Sequence, residues 1–189
     1  FVAAFDVNVG KIGKDLSEAI FERPNCCRTF TEVPESGVEV MPGPVLDGVA
    51  PHMRRSFRTY DENRISPVDV LDVLQRSETD LVVSYLPVGS REATRFYAEK
   101  CIEAHSAFVN CIPEFIASDK QWSQRFARAG LPVAGDDIKS QVGATILHRN
   151  LVNLFLDRGV KVEETYQLNI GGDTDFENMT VEERLHSKR

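Results

Sequence analysis

The chain has no apolar run approaching the ~20 residues that a membrane-spanning helix needs. It has no excess of positive charge either. Its 22 Lys and Arg stand against 29 Asp and Glu, a net charge of −7, which argues against a general nucleic-acid binder working through a basic face. Cysteine is scarce and unpaired in pattern. Cys26, Cys27, Cys101 and Cys111 form no C-x-x-C motif, so neither a zinc site nor a thioredoxin-like centre is expected. Buried, reduced thiols are the simplest reading, and they favour a cytoplasmic setting. His52, His105, His148 and His186 are scattered and give no metal-ligand spacing and no Ser-His-Asp arrangement. There is no signal peptide pattern, internal repeat or low-complexity tract. The chain opens on Phe1-Val2-Ala3-Ala4-Phe5 without a Met and closes in a charged, helix-like stretch. It therefore reads as an internal piece of a longer protein.

What is present is the composition of a folded domain, 42% hydrophobic and 27% charged over 189 residues. Short apolar runs alternate with helical periodicity. Val2 to Phe5 reads as a strand, Leu16 to Phe21 as a helix, and Val38 to Val40 as a further strand inside a Pro- and Gly-rich region. Ser66 and Pro67 look like the cap and first position of a helix carrying Val68, Leu71 and Leu74 on one face. Leu81 to Leu86 is a buried strand closed by Pro87 and Gly89, and Ser90 is the expected cap of the next helix. Ala93, Phe96, Tyr97, Cys101 and Ala104 line one side of that helix. Phe108 to Ile112 is a strand, Trp122 to Ala127 a helix, and Pro132 to Ala134 a short strand. A helix from about Ser140 to Arg158 presents Leu147, Leu151, Leu154 and Phe155, with Gly159 as its stop. Tyr166 to Ile170 reads as a strand. This order predicts an α/β fold, a Rossmann-like doubly wound parallel sheet leading into an α+β catalytic or tetramerisation domain. The expected division is a dinucleotide-binding domain over 1–140, short of its first βα unit, and the start of a second domain over 141–189.

Ligands in such sheets bind at the carboxyl ends of the strands, which selects a few residues. Asp6 ends the first strand and fits an acid that accepts ribose hydroxyls, or equally one that caps a turn. At Tyr85–Ser90 the chain passes from strand to loop to helix, and Gly89 permits close backbone approach to a cofactor or simply a turn. Gly135-Asp136-Asp137-Ile138-Lys139-Ser140 gathers two acids, a lysine and a hydroxyl at a strand end and helix start. A helix cap accounts for one of the acids but poorly for the whole cluster. Asn169 to Asn178 is a Gly-Gly turn packed with polar groups, and its spacing does not match a calcium-binding loop. Lys188 by itself is an ordinary lysine in a charged stretch.

VSYLPVGS (83–90), FVNCIPEFIASD (108–119), GDDIKSQVGAT (135–145), LNIGGDTDFENM (168–179) and ERLHSK ending at Lys188 together resemble the myo-inositol-1-phosphate synthase family in its bacterial and archaeal branch. The resemblance implies conversion of glucose 6-phosphate to 1L-myo-inositol 1-phosphate with bound NAD. The steps are oxidation at C5, loss of a C6 proton, aldol closure onto C1 and reduction, with no net redox change. It implies catalytic roles for Lys188, Lys139, Asp137 and Asp175. It assigns Asp6, Ser84, Leu86, Pro87, Asn110, Pro113, Asp137, Ser140, Gly172 and Asp175 to the cofactor. It further implies a homotetramer assembled through regions outside this chain. No metal-ligand residues are expected, although a cation near the Gly-Gly-Asp turn is a possibility the family raises. Many relatives carry Asn where this chain has Asp173, and the Gly-rich phosphate loop is not in these residues. The alternatives are another NAD-dependent sugar-phosphate oxidoreductase and a non-catalytic dinucleotide-binding module.

Overall fold

The structure, a computed structural model, describes residues 1–25, 28–138 and 142–185. Cys26, Cys27, Lys139, Ser140, His186 and Lys188 lie outside the described residues. The chain divides into two compact units, Phe1–Asp137 with Asp173–Arg189, and Ile138–Gly172.

In the first unit β1 (Ala4–Asp6) pairs with β2 (Val40–Pro42), and β3 (Leu81–Ser84), β4 (Ala107–Asn110) and β5 (Val133–Ala134) form a second sheet in the order β3-β4-β5. Every one of these pairings is parallel, as expected for strands joined by helical crossovers. The connecting helices are α1 (Leu16–Ala19), α2 (Val70–Arg76), α3 (Arg91–Glu103) and α4 (Lys120–Arg128). The core is one cluster built on Val70, Leu74, Tyr97, Ala98, Cys101, Phe108, Ile116 and Phe126. Tyr97, Ala98 and Cys101 come from the buried face of α3, which the apolar spacing of that segment dictates.

Local capping departs from expectation at two helices. The helix expected to start at Ser66 and Pro67 begins at Val70, with the Asp69 carboxylate accepting the Asp72 N–H at 3.3 Å. The Val68 N–H is committed to the Pro42 carbonyl at 2.9 Å, which ties this stretch to the end of β2. Ser90 does not cap α3. Its hydroxyl turns back to donate to the Pro87 carbonyl at 2.6 Å. The α3 amides of Glu92 and Ala93 are instead taken by the Asp47 carboxylate, at 2.7 and 2.9 Å. The strand expected over Leu81 to Leu86 ends at Ser84.

The second unit holds α5 (Ala144–Asp157), none of whose residues is buried. Leu147, Leu151, Leu154 and Phe155 form the stripe the periodicity predicts, and all are exposed. The Tyr166–Ile170 strand is not formed. Tyr166, Leu168 and Ile170 are exposed, and among the described residues no strand pairs with them. An extended segment without a neighbour has nothing to satisfy its ladder of N–H and C=O groups. In the first unit the sequence resumes with α6 (Thr174–Asn178) and a single 3-10 turn at Glu182–Arg184.

Candidate functional site at the strand ends

Four strand ends carry the polar groups. At the end of β1 one oxygen of Asp6 accepts the N–H groups of Val7 and Asn8, at 2.7 and 2.8 Å, and the other accepts from Lys11 Nζ at 3.0 Å. The carboxylate is fixed in direction and still partly exposed. Two residues on, the side-chain nitrogen of Asn8 is buried with no hydrogen-bond partner among the described residues. Asn8 lines an open cavity of about 380 Å³ together with Gly10, Glu22, Arg23, Arg55 and Arg58. Glu22 is held below its ordinary carboxylate range, chiefly by its hydrogen bond from Lys14.

In the second sheet Ser84 and Asn110 sit side by side in register at the ends of β3 and β4. Ser84 is buried, and its hydroxyl has no hydrogen-bond partner among the described residues. Asn110 is the opposite case. Its amide nitrogen reaches the carbonyls of Ile112 and Glu114 and the Asp136 carboxylate, at 3.0, 2.6 and 2.8 Å. Asn110 is thus spent on shaping the strand end. Pro113 is buried beside it. The neighbouring buried Glu114 is met by Arg95 at 3.0 Å and Arg91 at 3.7 Å. Leu86 packs against the core, and Pro87 is exposed.

At the end of β5 the two adjacent acids do different work. Asp136 accepts the N–H groups of Ile116, Ala117 and Ser118, at 3.0, 3.1 and 3.0 Å, and so ties the loop after β4 to β5. Asp137 is exposed, with its N–H donating to the Ile112 carbonyl at 3.0 Å. Its φ of 70° is the left-handed region that Asp tolerates better than most residues. Gly135 cannot be larger, because a Cβ there would lie 2.7 Å from the Asn110 carbonyl oxygen. The structure therefore brings Ser84, Asn110, Pro113 and Asp137 to one sheet edge. Asp6 ends a strand of the other sheet, and Gly172 belongs to the second unit.

Asp175 is exposed in the first turn of α6. Asp173, whose role the sequence leaves open, caps this helix by accepting the Phe176 N–H at 2.9 Å. Among the described residues no group of three or more His, Cys, Asp and Glu could hold a metal ion. The segment after Asp173 is docked on the loop that follows β3, where the Asn178 amide donates to the Val88 carbonyl at 2.8 Å. Gly89, with φ of +82°, accommodates this docking. A Cβ there would meet the Cα and carbonyl oxygen of Arg184 at 2.8 and 2.9 Å. Sequence reasoning did not single out Asn8, Asp47 or Arg184, and spacing alone left Asp136 interchangeable with Asp137, which only the resemblance preferred. Nothing in the local sequence distinguishes Asp47, Asp136 or Arg184, because most of their partners lie far along the chain.

Parallel strands and crossover helices, with polar residues gathered at the strand carboxyl ends, define a Rossmann-like α/β fold. A match to the family described as myo-inositol-1-phosphate synthase covers residues 143–189. All 189 residues align with the inositol-3-phosphate synthases of Corynebacterium glutamicum, at 52% identity, and Mycolicibacterium smegmatis, at 53%. The chain spans about half the length of these relatives, 51% in each case. Among solved structures, that of Ari2 superposes with a TM-score of 0.78 at 34% identity, over 95% of this chain and 51% of that one. A myo-inositol-1-phosphate synthase-related protein from Thermotoga maritima gives 0.68 at 27% identity, over 99% and 55%. Over its whole length the chain is similar to members of the myo-inositol-1-phosphate synthase family.

Proposed function

We propose that the full-length protein converts glucose 6-phosphate to 1L-myo-inositol 1-phosphate, holding NAD throughout. The observation that carries this reading is the unbroken alignment of all 189 residues with inositol-3-phosphate synthases at about half identity. Residues 1–140 then supply most of a dinucleotide-binding domain, and 141–189 begin the catalytic part of a cytoplasmic homotetramer.

The residues present suit a dinucleotide. A fixed, partly exposed carboxylate at a strand end is what a ribose diol requires of Asp6. Ser84 and Asn8 each leave a buried polar atom without a partner among the described residues, and such atoms are costly unless another group, a ligand or water meets them. Asp6, Ser84, Leu86, Pro87, Asn110, Pro113, Asp137, Ser140, Gly172 and Asp175 would hold or border NAD. When bound, NAD supplies a hydride acceptor and later the same hydride. The chain's own part is proton and charge management. The ammonium groups of Lys188 and Lys139 offset negative charge developing on the sugar oxygens. A partly desolvated lysine also has the tunable pKa needed to move the C6 proton. Asp137 and Asp175 supply the carboxylates that orient such lysines.

Incubating the full-length protein with glucose 6-phosphate and NAD should give inositol phosphate without accumulation of NADH. Stoichiometric NADH would instead mark a simple oxidoreductase, and bound NAD with no product a binding module.

A further inference from the structure

Resting on the synthase reading above, we infer that Arg184 is a positioning residue that clasps the segment leading to Lys188 onto the loop after β3. Arg184 is only 6% exposed, and its guanidinium joins three stretches of chain. Nε donates to Asn178 Oδ1 at 3.0 Å, within its own segment. Nη1 donates to the carbonyls of Asp47 at 2.8 Å and Gly89 at 3.0 Å. Nη2 reaches Ser90 Oγ at 3.2 Å and the Gly48 carbonyl at 3.5 Å. This uses the planar fork of five donors that defines arginine, a pattern a lysine ammonium cannot reproduce.

The charge is met in an unusual way. Carbonyl and hydroxyl oxygens take its hydrogen bonds, and no salt bridge to Arg184 occurs among the described residues. Burial pushes the guanidinium below its ordinary pKa, and the nearby Asp47 carboxylate opposes that shift. Asp47 in turn caps α3 through Glu92 and Ala93. A buried cation is an expensive way to gain stability, because well-packed apolar groups commonly do as well. Its gain is geometric. The loop Val88–Ser90, the start of α3 and the segment from Asn178 to Arg184 are locked in one arrangement. That loop continues from Ser84 and Pro87 on the proposed cofactor side. In sequence the locked segment is preceded by Asp175, three residues before Asn178, and followed by Lys188, four residues after Arg184.

The test uses full-length Arg184→Lys and Arg184→Met, the first keeping the charge and the second much of the length. Turnover numbers are normalised to folded protein. Both variants should lose on the order of 100-fold in kcat, since a misplacement of about 1 Å costs that much. KM for glucose 6-phosphate and NAD affinity should stay within about threefold of the parent. Backbone amides over 176–185 should exchange faster, while those of β3 and β4 stay unchanged. Wild-type kcat in Arg184→Lys would overturn the clasp, since charge alone would then suffice. So would loss of NAD binding in step with kcat, or unchanged exchange over 176–185. If the parent protein makes no inositol phosphate, the synthase reading fails, and the exchange measurement still decides the clasp.

Discussion

Replacing Asp136 by Asn should cost stability although Asn keeps the shape, and replacing it by Ala should cost more. The reason lies in the pattern of donors. One carboxylate oxygen accepts from Ala117 N–H and Asn110 Nδ2, and the other from Ile116 N–H and Ser118 N–H. Either orientation of an Asn amide therefore turns an NH₂ group toward two donors. The Ser118 amide is exposed and water can replace its partner, and Asn110 Nδ2 keeps the carbonyls of Ile112 and Glu114, which leaves the amides of buried Ile116 and part-buried Ala117 as the donors at risk. Each orientation of Asn strands one of these two, so Asp136→Asn should lose about 1–3 kcal/mol, and Asp136→Ala, which strands both, about 2–6 kcal/mol. Urea denaturation of the full-length protein should show a lower midpoint with an unchanged slope. Amides 116–118 should lose exchange protection first. A loss within about 0.5 kcal/mol for Asp136→Asn, the range of an ordinary surface change, would refute the claim that this carboxylate anchors the loop.

Three further outcomes follow from other parts of the molecule. Gly89→Ala should cost about 3 kcal/mol, from the left-handed backbone and the displaced Arg184 together, and should lower kcat per folded molecule; thermal melts alongside kinetics check both. Burial pushes the Cys101 thiol from 9.0 up to about 12, and Tyr97 is raised in the same sense, chiefly by burial. A folded pKa above the unfolded one gives a contribution that is whole below pH 9 and lost as pH rises toward 12. Stability should therefore decline through that window, less steeply in Cys101→Ala, and Cys101 should resist thiol reagents at pH 8 until the protein unfolds. Lys188→Ala should abolish turnover while NAD still binds, as measured by titration; normal turnover by that variant would remove Lys188 from the proposed chemistry.

By itself the sequence determined the elements whose signals are local. Apolar runs bounded by Pro and Gly marked β3, β4 and β5, and the helical spacing of Ala93, Phe96, Tyr97, Cys101 and Ala104 marked the face of α3 that the core would cover. The strand-then-helix order implied parallel pairing, which in turn pointed to Asp6 and to the stretches 84–90, 110–113 and 135–140. The quoted motifs carried the family, because they preserve chemistry as well as pattern. The tertiary structure decided which of these polar groups remain free. Asp136 and Asp137 are neighbours with the same side chain, yet one is consumed by three amides of the preceding loop and the other faces solvent. Ser90 has the right position to cap α3, but Asp47, more than forty residues earlier, takes that place. Gly89 leaves room for Arg184, a residue of the same chain, at the point where the sequence allowed either a cofactor or a turn. Tyr166–Ile170 has the alternation of a strand and, among the described residues, no strand to pair with. In each case the outcome depends on a partner distant in sequence. Periodicity records which face a residue presents, whereas a hydrogen bond is settled by what the fold brings to that face.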